Sequence, residues 1–318
     1  MKELLKINYE AEQPTVSARE LYAGLEIGTK FTTWFERMKE YGFSEGNEFF
    51  PILGETSETG GRPAVDYQIS VDMAKQICMI HICATAAHES SVIRLKETLH
   101  IEATTDNKAA AQKADILFLA IKPNMFHKVI PEIRHAVKEN AIIVSIAAGQ
   151  TIERIEEIFE TSIKLVRVMP NTPAMVGAAM SAICCNDAVT DEDLTEVQAI
   201  FNSFGKSEVV SESMIDTVIG VSGSSPAYVY MFIEAMADAA VADGMPRAQA
   251  YKFAAQAVLG SAKMVLETGK HPGELKDAVC SPGGTTIEAV ATLEKAGLRN
   301  AVIEAQRACV QKSRDMNS

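Results

Sequence analysis

The stretch "CSPGGTT", Cys280–Thr286, concentrates more chemistry than any other in the chain. Pro282 fixes one φ angle, and Gly283 and Gly284 open backbone conformations closed to other residues. Thr285 and Thr286 then lead into "IEAVATLEKA", which is amphipathic at helical period. A helix start has free N–H groups, and with hydroxyls beside them it suits a carboxylate. Ser281 and Thr286 can donate hydrogen bonds there without adding charge. The same residues would also serve as an ordinary helix cap. A second Gly/Ser cluster, "VSGSSPAY" (Val221–Tyr228), also enters a helix through Pro226 and reads as close helix packing rather than chemistry. Three more stretches, "AIKP" (Ala120–Pro123), "IAAG" (Ile146–Gly149) and "MPNTPA" (Met169–Ala174), each follow an apolar run. Their small residues and prolines would let a flat ligand approach the main chain, although any one alone could be strand-to-loop punctuation.

These segments must be held by strands and helices, and the pattern supplies them. From residue 81, "HICATA" is a β-rich run, and "SSVIRLKETL" is helical with Val92, Leu95 and Leu99 on one face. A strand and a helix follow within "IEATTDNKAAAQK", then the buried-strand run Ile116–Ile121. "FHKVIPEIRHAV" is helical, and "AIIVSIAAG" and "IKLVRVM" are further strands. Unbroken apolar strands alternating with helices indicate a parallel sheet covered on both faces. Such a sheet binds ligands at the carboxyl ends of its strands, where all three loops fall. From Asp191 the pattern reads as almost pure helix, with long blocks at Ala227–Val241 and in "RAQAYKFAAQAVLGSAKMVLETG". Their apolar residues lie on more than one side, which points to burial against other helices, including those of a second subunit.

The first eighty residues differ. Ser17 with Glu20 has capping-box spacing. Ala18, Leu21, Tyr22 and Leu25 form one helical stripe, and Phe31, Trp34, Phe35 and Met38 a second. "EFFPIL", "TGGRPAVDYQIS" and "VDMAKQICMI" follow as strand, turn with strand, and short helix. The fold class expected is therefore α/β plus all-α: a small α+β domain (1–80), a domain built on a parallel sheet covered on both faces (81–186) and a helical domain (187–318).

Composition narrows the functions. At a net charge of −12 the chain is poorly suited to nucleic-acid backbones. Cysteines 78, 83, 184, 185, 280 and 309 show no C-x-x-C spacing, and they read as reduced thiols of a cytoplasmic protein. No metal site is expected from six scattered histidines. The charged N-terminus lacks the apolar core of a signal peptide, and no run is long enough to span a membrane.

Two resemblances follow from the motifs. "SARELYAGLEIGTKFTTWFERMKEYGFSEGNEFF" with "GGRPAVDYQISVDMAKQICMI" resembles the AntA/AntB antirepressor domain of phages over residues 4–80. That resemblance implies a role in relieving repression, and the acidic charge favours a protein partner over a nucleic acid. "ADILFLAIKP", "VRVMPNTPAMVG", the block from "VSGSSPAY" to "GELKD", and "CSPGGTTIEAV" resemble pyrroline-5-carboxylate reductase over residues 82–314. The family reduces 1-pyrroline-5-carboxylate to L-proline with NADP or NAD coenzymes. Its fold is a Rossmann domain followed by a helical dimerisation domain, so a homodimer or higher homo-oligomer is implied. By the same resemblance, Asn107, Ala120, Ile121, Lys122 and Pro123 would line the cofactor. Ala147, Ala148 and Asn171 would lie near the nicotinamide. Ser281, Gly283, Gly284 and Thr285 would hold the substrate carboxylate, with Thr286 as the catalytic residue at the ring nitrogen.

One part of that pattern is missing. The family opens with a strand and a G-x-G-x-x-G loop, yet no G-x-G occurs anywhere in the 318 residues. "HICATA" would then be the second Rossmann strand, and its end near Thr85–His88 would meet the adenosine ribose. Each lost N–H bond to a charged group is worth about 1.5–3 kcal/mol. Losing two would weaken binding roughly a hundred-fold to more than ten-thousand-fold. "AVDYQIS" could insert as a substitute strand. The alternative function is an antirepressor-type regulator carried on a catalytically dead reductase body.

Overall fold

A computed structural model describes residues 7–8, 14–24, 30–39, 43–53, 65–74 and 82–317. The chain divides into two compact units, Met1–Gln112 and Lys113–Ser318. Leu25, Cys78 and the turn between "EFFPIL" and "AVDYQIS" lie outside the described residues.

In the first unit, β1 (Thr15–Ser17) runs into α1 (Ala18–Gly24), followed by α2 (Phe31–Lys39), β2 (Phe49–Leu53), β3 (Val65–Ser70) and a helical segment at 71–74, α3. The Ser17 hydroxyl accepts from the Glu20 N–H at 3.1 Å, the N-cap its spacing announced. Ala18 and Leu21 of the first stripe are buried, and so are Phe31, Trp34, Phe35 and Met38. Phe35 and Tyr67 stack with centroids 3.9 Å apart, and Phe49 meets Phe35 edge-on at 5.6 Å. β3 is the middle of a three-stranded sheet in the order β1-β3-β2, antiparallel to both neighbours. "AVDYQIS" is therefore bonded on both sides and cannot serve as a substitute Rossmann strand.

The same unit contains β4 (Cys83–Thr85), α4 (Glu89–Leu99), β5 (Glu102–Thr104) and most of α5 (Asn107–Lys113). β4 and β5 pair in parallel as a sheet of two. Val92 of α4 is buried, while Leu99 at the helix end is exposed.

The second unit is built on a five-stranded sheet in the order β10-β9-β8-β7-β6. Its strands are β6 (Ile116–Leu119), β7 (Ile142–Ser145), β8 (Lys164–Met169), β9 (Ala179–Cys185) and β10 (Gly205–Val209). β6, β7 and β8 run parallel, as their unbroken apolar character required. β9 is antiparallel to β8 and parallel to β10. The sheet is thus mixed, and the expectation of nearly pure helix after Asp191 fails at β10. "GKSEV" gives no apolar run because its residues are largely exposed at the sheet edge. α6 (Phe126–Ile133) and α7 (Ile152–Phe159) bury Phe126, Ile130, Ile155 and Phe159 completely or nearly so. α8 (Asp191–Asn202) contributes Val197 and Phe201 to a cluster with Ile142, Val144, Val166, Val168 and Ile183.

After β10 the chain is helical: α9 (Ile215–Val218), a π-helical segment Ile219–Gly223, α10 (Ser225–Ala242), α11 (Arg247–Thr268), α12 (Pro272–Ala278), α13 (Thr285–Lys295) and α14 (Leu298–Asn317). α10 and α11 leave Tyr230, Met231, Phe232, Phe253, Leu259 and Leu266 exposed. Such broad apolar exposure on long helices marks an association surface. No helix among the described residues is long and apolar enough to cross a membrane.

Candidate active site

The register of the parallel strands sets Leu119 beside Ser145 and Ser145 beside Arg167. The segments that follow, Ala120–Pro123, Ile146–Gly149 and Asn171–Ala174, therefore leave one end of the sheet. Ala120, Lys122 and Pro123 are exposed and Ile121 is half-buried, so the first segment presents main chain to solvent. Ala147 is buried and Ala148 half-buried. The turn there depends on Gly149, whose φ is +71°. Asn107 opens α5 in the first unit, half-buried, whereas the other proposed cofactor residues belong to the second.

Asn171 is engaged at both ends of its side-chain amide. Its Nδ2 donates to the Ser222 carbonyl at 3.0 Å, and its Oδ1 accepts from the Met180 N–H at 3.0 Å. The side chain thus ties the loop after β8 to both β9 and the π-helical segment. Single π-turns are frequent at functional sites. Beyond Asn171, Met175 and Val176 are 89% and 80% exposed, an apolar tip the sequence reading passed over.

The 281–286 turn has the geometry its residues implied. Gly284 N–H donates to the Ser281 carbonyl at 3.0 Å, and Gly283 sits at φ +66°. Gly284 is the N-cap of α13, and no side chain caps that helix. Its first N–H groups have no capping side chain, and the hydroxyls of Thr285 and Thr286 adjoin them. A Cβ on Gly284 would stand 2.3 Å from the Ser281 Oγ, so the glycine is needed for close approach. Gly283, Gly284 and Thr285 line an open groove together with Ile287 and Glu288. Thr286 is half-buried at the second helical position.

A buried ion pair supports the sheet end, and sequence reasoning missed it. Arg167, 3% exposed, pairs with Glu212 at 2.7 Å. The same Glu212 oxygen accepts from the Ile152 N–H at 2.8 Å at the start of α7. The signal was an arginine inside "LVRVM", since a charge in a buried strand requires a partner. Next to it in register, burial drives the Cys184 thiol up to about 12, with Glu212 adding to the effect. Among the described cysteines Cys184 is buried and Cys83 exposed. No cluster of three metal-ligating side chains occurs among the described residues.

Comparison with known proteins identifies the scaffold. A family profile named pyrroline-5-carboxylate reductase dimerisation matches residues 212–316, covering the helical region with its exposed apolar surface. The pyrroline-5-carboxylate reductase of Escherichia coli K12 is 56% identical over 226 residues, 71% of this chain and 84% of that protein. This chain belongs to the pyrroline-5-carboxylate reductase family. The enzyme of Pisum sativum is 38% identical over 273 residues, covering 85% of this chain and 100% of the pea protein. Among solved reductases, that of Coxiella burnetii superposes with a TM-score of 0.70 at 33% identity, covering 74% of this chain and 88% of its own. A Plasmodium falciparum pyrroline carboxylate reductase with NADP bound gives 0.65 at 30%, covering 74% and 97%. A profile named NADP oxidoreductase coenzyme F420-dependent matches residues 72–149. The AntA/AntB antirepressor profile matches residues 16–82, the segment folded around the Phe35 aromatic core.

Three loops, Ala120–Pro123, Ile146–Gly149 and Asn171–Ala174, leave the carboxyl ends of the parallel strands β6, β7 and β8. A diphosphate needs a cluster of main-chain N–H groups at a tight strand-to-helix turn. The sequence has no G-x-G to form one, and no described strand borders β6 on its outer side.

Proposed function

We propose that this chain is an NAD(P)H-dependent oxidoreductase that reduces 1-pyrroline-5-carboxylate to L-proline, with a weakened grip on its coenzyme. The uncapped Gly284 turn carries the reading: it offers N–H groups and neutral hydroxyls to a small carboxylate, beside a groove. Ser281, Gly283, Gly284 and Thr285 hold the substrate carboxylate. Thr286 hydrogen-bonds the ring nitrogen, which gains a proton as the C=N bond is reduced. The coenzyme, when bound, supplies the hydride. Ala120–Pro123, Ala147, Ala148 and Asn171 present small, neutral surfaces to it, and Asn107 serves its outer end. Positioning is the protein's contribution. Asn171 fixes the sheet-end loop against the π-helical segment.

The organisation follows the three parts set out above: an antirepressor-like module (1–80), a truncated coenzyme domain (81–186) and a helical substrate and dimerisation domain (187–318), the last lending α8 and β10 to the sheet. We place the enzyme in the cytoplasm as a homo-oligomer. The antirepressor-like module would contact a protein partner, since its acidic excess disfavours nucleic acid.

The test is coenzyme oxidation by the purified full chain at millimolar NADPH with 1-pyrroline-5-carboxylate. Turnover with a coenzyme KM raised about a hundred-fold or more above that of an intact reductase is expected. If proline analogues protect neither turn 281–286 nor α13 from hydrogen exchange, the assignment of the carboxylate site is wrong, whatever the turnover.

A further inference from the structure

The π-helical segment Ile219–Gly223 closes with the Ser224 N–H donating to the Ile219 carbonyl at 2.8 Å. Its Ser222 carbonyl would ordinarily serve the N–H four residues on, but residue 226 is proline and has none. That carbonyl accepts instead from Asn171 Nδ2 at 3.0 Å. The segment also lies against the end of β8, where a Cβ on Gly223 would stand 3.3 Å from Met169 Cε. α14 makes a second set of contacts. Ser313 Oγ donates to Asp216 Oδ1 at 2.6 Å, and Cys309 Sγ donates to Ser224 Oγ at 3.1 Å. Midway along the chain between Asp216 and Ser224, a Cβ on the buried Gly220 would stand 2.8 Å from Val310 Cγ2 and 3.0 Å from Gln306 Cγ. Positions 216, 220 and 224 thus meet 306, 309, 310 and 313, one helical face laid along another. A glycine inside a helix weakens it relative to alanine. Here it admits α14 to the main chain of the segment.

We propose that Gly220, closed on by α14, is a positioning residue for hydride transfer: the contact sets the π-helical segment, and the Ser222–Asn171 bond passes that setting to the loop after β8. The inference rests on the reductase reading above, which puts Asn171 near the nicotinamide. Gly220 acts through Ser222 and Asn171 rather than on the ligands themselves. The Cβ of an alanine there must move from 2.8 Å to the 3.4 Å or more of ordinary contact. Val310 is β-branched and stiff at χ1, so it does not swing aside. The two hydrogen bonds that flank Gly220 resist a tilt of α14. The displacement therefore falls on the π-helical segment and is carried to Asn171. A misplacement of about an ångström costs about a hundred-fold in rate, so one of about half that size costs about ten-fold.

The experiment measures turnover of NADPH and 1-pyrroline-5-carboxylate by the full chain beside hydrogen exchange at Met180, whose N–H donates to Asn171 Oδ1 at 3.0 Å. Gly220→Ala should lower kcat about ten-fold, leave the substrate KM within about two-fold, and speed Met180 exchange by about ten-fold or more. Gly220→Ala with Val310→Ala vacates the space the new methyl needs, and it should recover most of kcat and of Met180 protection. Ser313→Ala deletes the bond to Asp216 without adding an atom. It should move both readouts the same way by about three-fold, and it keeps the test available where Gly220→Ala folds poorly. A Gly220→Ala chain that melts lower yet keeps its kcat and its Met180 protection makes the contact one of stability alone and overturns the proposal. Stability regained in the double variant without kcat and Met180 protection overturns it too. So does unchanged Met180 exchange in every variant, a readout that needs neither substrate nor coenzyme. Absence of turnover in the unaltered chain would strike the reductase reading, and Met180 exchange would still decide whether α14 sets the Asn171 loop.

Discussion

Removing Glu212 should expose how the sheet end is held. Its carboxylate does two things: it neutralises Arg167 at 2.7 Å and accepts from the Ile152 N–H at 2.8 Å. In Glu212→Ala, Arg167 would keep its position in β8, where its side chain is 4% exposed and its Nη2 already lacks a partner. Stranding a buried charge costs about 3–5 kcal/mol. Glu212 itself is 34% exposed, so water can enter the gap and screen the arginine. We therefore take the lower end, about 3 kcal/mol, with about 0.5–1 more for the lost N–H partner of α7. In a unit of this size each kcal/mol moves the melting temperature by about 2–4 °C, so a fall of about 7–16 °C follows. The one tryptophan, Trp34, lies in the first unit's core and reports on that unit alone. The assay is paired melting of the full chain: far-UV circular dichroism for the helices of the second unit, Trp34 fluorescence for the first. Only the dichroism transition should shift. Adding Arg167→Met should recover most of the loss, since a buried apolar residue needs no counter-ion. A double variant as unstable as Glu212→Ala, or a Trp34 transition that moves equally, would refute the reasoning.

Three further outcomes are expected. Gly284→Ala puts a methyl group 2.3 Å from the Ser281 hydroxyl, which must rotate away. Substrate KM should rise about ten-fold with melting changed by only a few degrees, measured by kinetics beside circular dichroism. Gly205→Ala places a Cβ 2.4 Å from the Ala179 carbonyl, a main-chain contact that cannot yield cheaply. It should destabilise the β9–β10 edge by about 2 kcal/mol or more, seen as faster hydrogen exchange at 205–209. Cys184, raised to about 12 from an ordinary 9, keeps its proton in the folded state after the unfolded thiol has ionised. Its contribution to stability is therefore full below pH 9 and lost as pH climbs toward 12, by at most about 1.4 kcal/mol per pH unit. Mass spectrometry after alkylation at pH 8 should find Cys83 modified and Cys184 intact.

What could be read from the residues alone follows a physical division. Elements whose evidence is local came through. The Ser17 cap, the Phe31–Met38 stripe, the apolar strands β6 to β8 and the glycine turn before α13 each carry their cause in neighbouring residues. Elements that exist through distant partners did not. β10 is largely exposed and owes its strand state to hydrogen bonds with β9, its neighbour in the sheet and two elements earlier in the chain. The Arg167–Glu212 pair joins residues 45 apart, and only the arginine betrayed a need. Asn171 was expected near the nicotinamide on family grounds. Its visible employment is a bridge to Ser222, 51 residues on, which no local pattern encodes. The missing glycine loop lies between these cases. Its absence is a plain sequence fact, but its consequence is spatial: a strand with the composition of a sheet interior stands at an edge.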